Sequence, residues 1–119
     1  MVLKIDTGSA TPPFEQLRTQ FIAKITSGEL IAGAKLPTVR RLADDLGLAA
    51  NTVARAYREL EADGFVETHG RNGTLVSAQG DVAQQQAQLA ARAYADRVHQ
   101  LGISNDAALA LITSALRSS

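Results

Sequence analysis

Pro37 to Phe65, PTVRRLADDLGLAANTVARAYRELEADGF, decides how this chain folds. Its spacing predicts two helices joined by a tight turn. In the second, Val53, Ala56, Tyr57 and Leu60 recur every three or four residues and form an apolar stripe, while Asn51, Arg55 and Arg58 fall on the opposite side. The first repeats the pattern with Val39, Leu42, Ala43 and Leu46 inward, and Thr38 is placed to cap its start. Gly47 suits the left-handed residue that follows a helix end, and Gly47-Leu48-Ala49 makes the turn. Ala49 stands where a capping Ser, Thr or Asp would sit, so the second helix starts uncapped. A short helix, a glycine turn and a second helix with polar and basic residues outward is a helix-turn-helix, an arrangement that places its second helix in a DNA major groove.

Outward from this pair, Pro12-Pro13 opens an earlier helix carrying Phe14, Leu17, Phe21, Ile22 and Ile25 at core spacing and ending at Gly28. Residues 1–11 read as an extended arm with an apolar Val2, Leu3, Ile5 patch. Leu30 to Leu36 reads as a loop, extended from Lys35 to Pro37, because the residue before a proline is pushed toward the β region. After Asp63-Gly64, two β-rich runs, Phe65–His69 and Thr74–Ala78, flank Gly70-Arg71-Asn72-Gly73. A hairpin with a basic tip directly after a helix pair is a wing.

Composition changes at Gly80 and Asp81 to alanine, glutamine and leucine, which predicts one long helix to Leu101, with Ala83, Ala87, Ala90, Tyr94, Val98 and Leu101 in a stripe and Val82, Leu89 and Ala93 beside it. Gly102 stops it, and Ser104 caps a last helix with Ala108, Leu109, Leu111, Ile112, Ala115 and Leu116 apolar. A helix pair this small cannot bury such stripes alone, which predicts a second copy of the chain as partner, with Leu89, Tyr94, Val98, Leu101, Leu109, Ile112 and Leu116 in the seam. The expected fold is α+β, mostly α: a winged helix-turn-helix domain over 1–78 followed by a two-helix dimerisation hairpin over 81–119.

The 119 residues carry no net charge, so nucleic-acid binding rests on how charge is distributed rather than on an excess. Lys35, Arg40, Arg41, Arg55, Arg58 and Arg71 cluster in or beside the helix pair and hairpin, but Asp44, Asp45, Glu59, Glu61 and Asp63 share the stretch and narrow the basic face. For Arg55 and Arg58, ion pairing with Glu59, Glu61 or another acid competes with DNA contact. There is no cysteine, the two histidines are far apart, and no glycine-rich phosphate loop occurs, so no catalytic set or metal site assembles and no cofactor is expected. The longest apolar run, Ala107–Ile112, is too short to cross a bilayer, and MVLKIDTG lacks a signal core; the expected setting is the cytoplasm.

PFEQLRTQFIAKITSGEL, GAKLPTVRRLADDLGL, NTVARAYRELEADGFVET and GTLV stand in an order and spacing that resemble the GntR family of winged-helix transcription regulators, over residues 12–78. The short two-helix tail resembles the YtrA-type subfamily, whose members carry a small dimerisation hairpin. The resemblance implies a homodimeric regulator, a repressor, reading a palindrome in double-stranded DNA. It carries DNA contact onto Arg40, onto residues 49–54 and onto the wing tip, His69, Arg71 and Asn72, with Lys35 and Thr38 beside them. The chain departs from the family where Ala49, Ala50 and Ala54 replace the usual Ser or Thr and two arginines. Ala50 can still touch a thymine methyl, and Asn51, Thr52 and Arg55 become the polar readers nearest the helix start, with Arg58 a turn further on. A winged-helix protein-interaction or DNA-coating module is the competing reading; sequence selectivity separates the two. No small-molecule effector is named by the residues.

Overall fold

α1, Pro13–Thr26, begins at a proline whose missing N–H costs nothing in the first turn, and the Pro12 carbonyl accepts from Glu15 and Gln16 at 3.1 Å. In this computed structural model, which describes residues 2–80 and 82–118, its Leu17, Phe21 and Ile25 are buried. Met1, Ser119 and Asp81, where the sequence starts the tail, lie outside the described residues, as does the side chain of Val82.

α2, Val39–Leu46, is capped by Thr38, whose hydroxyl accepts from the Arg41 N–H at 3.1 Å. Gly47 sits at φ +67°, a left-handed conformation that needs no Cβ, and lets the Leu48 N–H return to the Ala43 carbonyl at 2.9 Å. α3, Ala50–Ala62, follows at once with no side-chain cap on Ala49. Val53, Ala56, Tyr57 and Leu60 are buried, as their spacing requires. Tyr57 crosses the core, meeting Phe21 edge-on at 5.8 Å between ring centroids and donating its hydroxyl to the Pro37 carbonyl at 2.7 Å. These side chains join Leu36, Leu42, Val66 and Val76 in one core.

The wing is β1, Val66–Thr68, antiparallel to β2, Thr74–Val76, with Val66 opposite Val76 and a 3-10 turn over Gly70–Asn72. The strands are shorter than the β-rich runs suggest. The segment read as a loop before Pro37 adds to them: Lys35 bridges antiparallel to Leu75, with Leu36 N–H on the Thr74 carbonyl and Val76 N–H on the Ala34 carbonyl, both at 2.9 Å. The free edge of β2 is thereby covered by the chain entering α2.

The amino-terminal arm is tied down by glutamines one helical turn apart. Gln20 accepts from the Lys4 N–H and donates to the Lys4 carbonyl, and Gln16 does the same for Asp6. Both pairs mimic a strand partner while Leu3 and Ile5, which alternate with Lys4 and Asp6, pack on the core.

α4, Val82–Gln100, turns at Gly102 into α5, Asn105–Arg117, capped by Ser104 on the Ala107 N–H at 3.2 Å. Tyr94 donates to the Ala108 carbonyl at 2.6 Å, and among the described residues Val98 and Ala108 are the buried ones of this pair. Polar contacts connect α4 to the winged part: Gln88 brackets the Gln79 backbone and Arg92 Nε donates to the Ala32 carbonyl at 3.3 Å. With a radius of gyration of 16.4 Å, against about 13.5 Å for a compact chain of this length, the molecule is drawn out.

Candidate nucleic-acid interface

Burying Val53, Ala56, Tyr57 and Leu60 turns the other side of α3 to solvent, so Asn51, Arg55 and Arg58 are exposed along one face, with Ala50 exposed at its start and Thr52 half-buried at the flank. The ion pairs weighed against this face do not form: among the described residues neither Arg55 nor Arg58 pairs with an acid. Glu61 instead accepts from the Thr68 N–H at 2.9 Å, holding β1 to α3. Glu59 turns inward, with one carboxylate oxygen buried and without a partner among the described residues. Arg55 lies over the ring of Phe14, its guanidinium carbon 3.7 Å from the ring centroid. Sequence periodicity assigns Phe14 to the core stripe of α1, so this contact is invisible until α1 and α3 are packed together.

Beside the stack, Arg18 bonds Glu15 through Nε and Nη2 and with Nη1 reaches Asp63, at the end of α3, at 3.6 Å. That hydrogen bond holds the Glu15 carboxyl below the ordinary carboxylate range, with the charges of Arg18 and Arg55 acting in the same direction. It also raises Arg18 above the usual arginine value.

On α2, Arg40 is exposed and unpaired among the described residues, whereas Arg41 lies 3.7 Å from Asp45, one turn on. The cap engages Thr38 at the same helix start. Lys35 is drawn to the wing: its Cε lies 3.2 Å from where a Cβ on Gly73 would stand, and Gly73 takes φ +79°, ψ −154°, a region reserved to glycine. A side chain at 73 would therefore be strained and would push Lys35 away. Arg71 and Asn72 are exposed at the tip; His69 sits 3.2 Å from Glu67. The structure thus gathers Lys35 with the wing residues, keeps Asn51, Arg55 and Arg58 on one helix face, and sets Arg40 on the neighbouring helix.

The tail residues divide. Leu89, Leu101, Leu109 and Leu116 are 50, 56, 65 and 72% exposed, as is Leu111 at 55%, and Ile112 is half-buried. Val98, placed in the seam by its spacing, is instead 5% exposed within a single chain, and Tyr94 is engaged by Ala108, so these two pack the hairpin itself. A stripe read from one helix cannot tell which part meets its own partner helix and which part is left over. An open cleft of about 600 Å³ lies between the end of α1 and the start of α4, lined by Ile25, Gly28, Ile31, Gln79 and Ala87 among others. No described helix is long and apolar enough to cross a membrane.

Residues 13–76 match the profile of bacterial regulatory proteins of the gntR family. The HTH-type transcriptional regulator Rv1152 of Mycobacterium tuberculosis is 46% identical over 111 residues, which span 93% of this chain and 91% of that one. The HTH-type transcriptional repressor YtrA of Bacillus subtilis is 41% identical over 76 residues, 64% of this chain and 58% of that protein. The solved structure of YtrA from Sulfolobus acidocaldarius, a GntR-family transcription factor, superposes with a TM-score of 0.60 at 32% identity and covers 98% of this chain and 97% of its own. The helix-turn-helix, the wing behind it and these relatives agree: the chain belongs to the gntR family of bacterial transcription regulators.

Proposed function

We propose that this regulator is a cytoplasmic homodimeric repressor that reads a palindromic operator with α3, through a DNA-binding unit over 1–78 and a dimerisation unit over 81–119. The observation that carries the reading is the exposed face of α3, Asn51, Arg55 and Arg58, on which neither arginine pairs with an acid among the described residues, together with the exposed Arg40, Lys35, Arg71 and Asn72. In this reading Asn51, Thr52, Arg55 and Arg58 meet base edges, Ala50 meets a thymine methyl, and Lys35, Thr38, Arg40, His69, Arg71 and Asn72 meet the backbone or the neighbouring groove. Exposed Leu89, Leu101, Leu109 and Leu116, with Ile112, supply the seam between copies. The sign of regulation leans on the Bacillus subtilis relative, which is called a repressor. An effector, where one acts, sits at an interface such as the cleft between α1 and α4 rather than inside one tail hairpin.

Two substitutions test the docking face. Arg55→Ala is expected to cost about 1 to 3 kcal/mol per contact and to relax preference at one position of each half-site, since a base contact carries sequence information. Arg40→Ala is expected to weaken all sequences alike and to flatten the dependence of affinity on salt, because a lost phosphate contact releases fewer counterions. Titrating both variants against matched and scrambled duplexes at two salt concentrations checks this. Wild-type affinity and salt slope in both would place the interface elsewhere, and salt-insensitive or absent DNA binding by the intact chain would favour a protein-interaction module.

A further inference from the structure

We propose that Phe14 is a positioning residue for sequence reading, whose ring holds the flat face of the Arg55 guanidinium and leaves its N–H fork free for a guanine edge in the major groove. The proposal rests on the DNA-reading function above and goes beyond it by assigning a residue outside the helix-turn-helix to recognition.

Phe14 occupies the first turn of α1 and is half-buried, anchored against the core, whereas Arg55 is exposed on α3. The guanidinium carbon lies 3.7 Å from the ring centroid. A cation this close to a ring face is bound by the ring quadrupole, an interaction that uses no N–H. Glu15, the carboxylate next to Phe14, could have taken those N–H groups. It is engaged by Arg18 instead, through hydrogen bonds to both of its oxygens. Among the described residues the Arg55 guanidinium makes no hydrogen bond, so its donors remain available while its position is fixed.

A guanine presents two acceptors, N7 and O6, on its major-groove edge, and a planar guanidinium matches both at once. A long arginine side chain that is already ordered loses less freedom on meeting that edge. Arg58, the other arginine on the face, and Arg40 on α2 have no ring beneath them among the described residues. Arg55 is therefore the pre-ordered reader of this surface, and Phe14 is what orders it.

The test uses the full-length chain and duplexes selected by it from a random pool. Phe14→Leu removes the ring face, and replacement of Phe14 by pentafluorophenylalanine keeps the ring's shape while reversing its quadrupole, so the second variant reads the stack even where the first disturbs folding. Both are expected to weaken binding about two- to fivefold per half-site, the range an exposed cation–π contact sustains. Both are also expected to relax preference at the same guanine that Arg55→Ala relaxes. Phe14→Tyr, which retains the face, is expected to keep wild-type preference, and the Phe14 effect should vanish in an Arg55→Ala background. Unchanged or tighter binding by the pentafluoro variant, or a loss that persists without Arg55, would overturn the proposal while leaving the DNA-reading function standing. Failure of the wild-type chain to select any duplex would remove both.

Discussion

Tyr57 shows how one side chain can carry two elements. Burial raises its phenol well above the ordinary tyrosine value, and its hydroxyl is spent on the Pro37 carbonyl, which fixes the extended entry to α2 against α3. Because the charged form is disfavoured only in the folded chain, the folded state holds its proton above about pH 10, where an unfolded tyrosine begins to lose it. The resulting stability is fully present below that value and is lost as pH rises toward the elevated folded one. Tyr57→Phe is expected to cost about 0.5 to 1.5 kcal/mol at neutral pH, more where the Pro37 carbonyl finds no water, and to flatten the alkaline decline. Urea unfolding of both proteins at about pH 9 and about pH 11, either side of the ordinary tyrosine value, checks this; equal slopes in the two would contradict it. Tyr57 as a core residue was legible from its spacing alone. Its bond to Pro37 was not, since those residues lie on different elements and meet only after α2 and α3 pack. The Phe14–Arg55 stack escaped the sequence for the same reason: periodicity says which side of a helix a residue occupies, not which neighbour waits there.

Among the elements, the helices follow the repeat of three and four residues and the glycines that stop them, so their order and faces were readable directly. The strands were less so. Three-residue strands carry too little alternation to fix their ends, and the bridge at Lys35 involves backbone groups, which leave no trace in side-chain pattern. The start of α3 offers a test at this scale. Ala49 already has the extended backbone of a cap, φ −67° and ψ +144°, yet supplies no side-chain oxygen, while Thr38 at the start of α2 does. Ala49→Ser is thus expected to stabilise the chain by about 0.5 to 2 kcal/mol, and Thr38→Ala to destabilise it by a similar amount. Thermal melts of the two variants read opposite signs in this account. A neutral or destabilising Ala49→Ser would mean that the α3 amides are already satisfied by other partners.

At the scale of the molecule, the exposed leucines of α4 and α5 and the drawn-out shape are connected. Among its described residues the helix pair buries little more than Val98 and Ala108 within itself, and the apolar surface left over supports the proposal of a second copy as partner. The division between Val98, turned inward, and Leu101, turned outward, was not legible from the stripe because both satisfy the same spacing. Ending the chain after Ala78 is expected to leave a folded, monomeric winged unit that binds a full operator far more weakly, since two tethered half-site contacts reinforce one another. Leu89→Asp should imitate the truncation by placing a charge in the seam. Sedimentation of both against the intact chain at micromolar concentration checks the link between size and affinity, and a truncated form that stays dimeric would break it. Selecting duplexes from a random pool with the intact chain, at fixed and stated salt, tests whether a two-fold dimer reads DNA sequence through α3. The expected result is an enriched inverted repeat whose half-sites lie about one helical turn, roughly 34 to 36 Å, apart or at a multiple of that spacing. Enrichment of no consensus, or of a single half-site without symmetry, would contradict it.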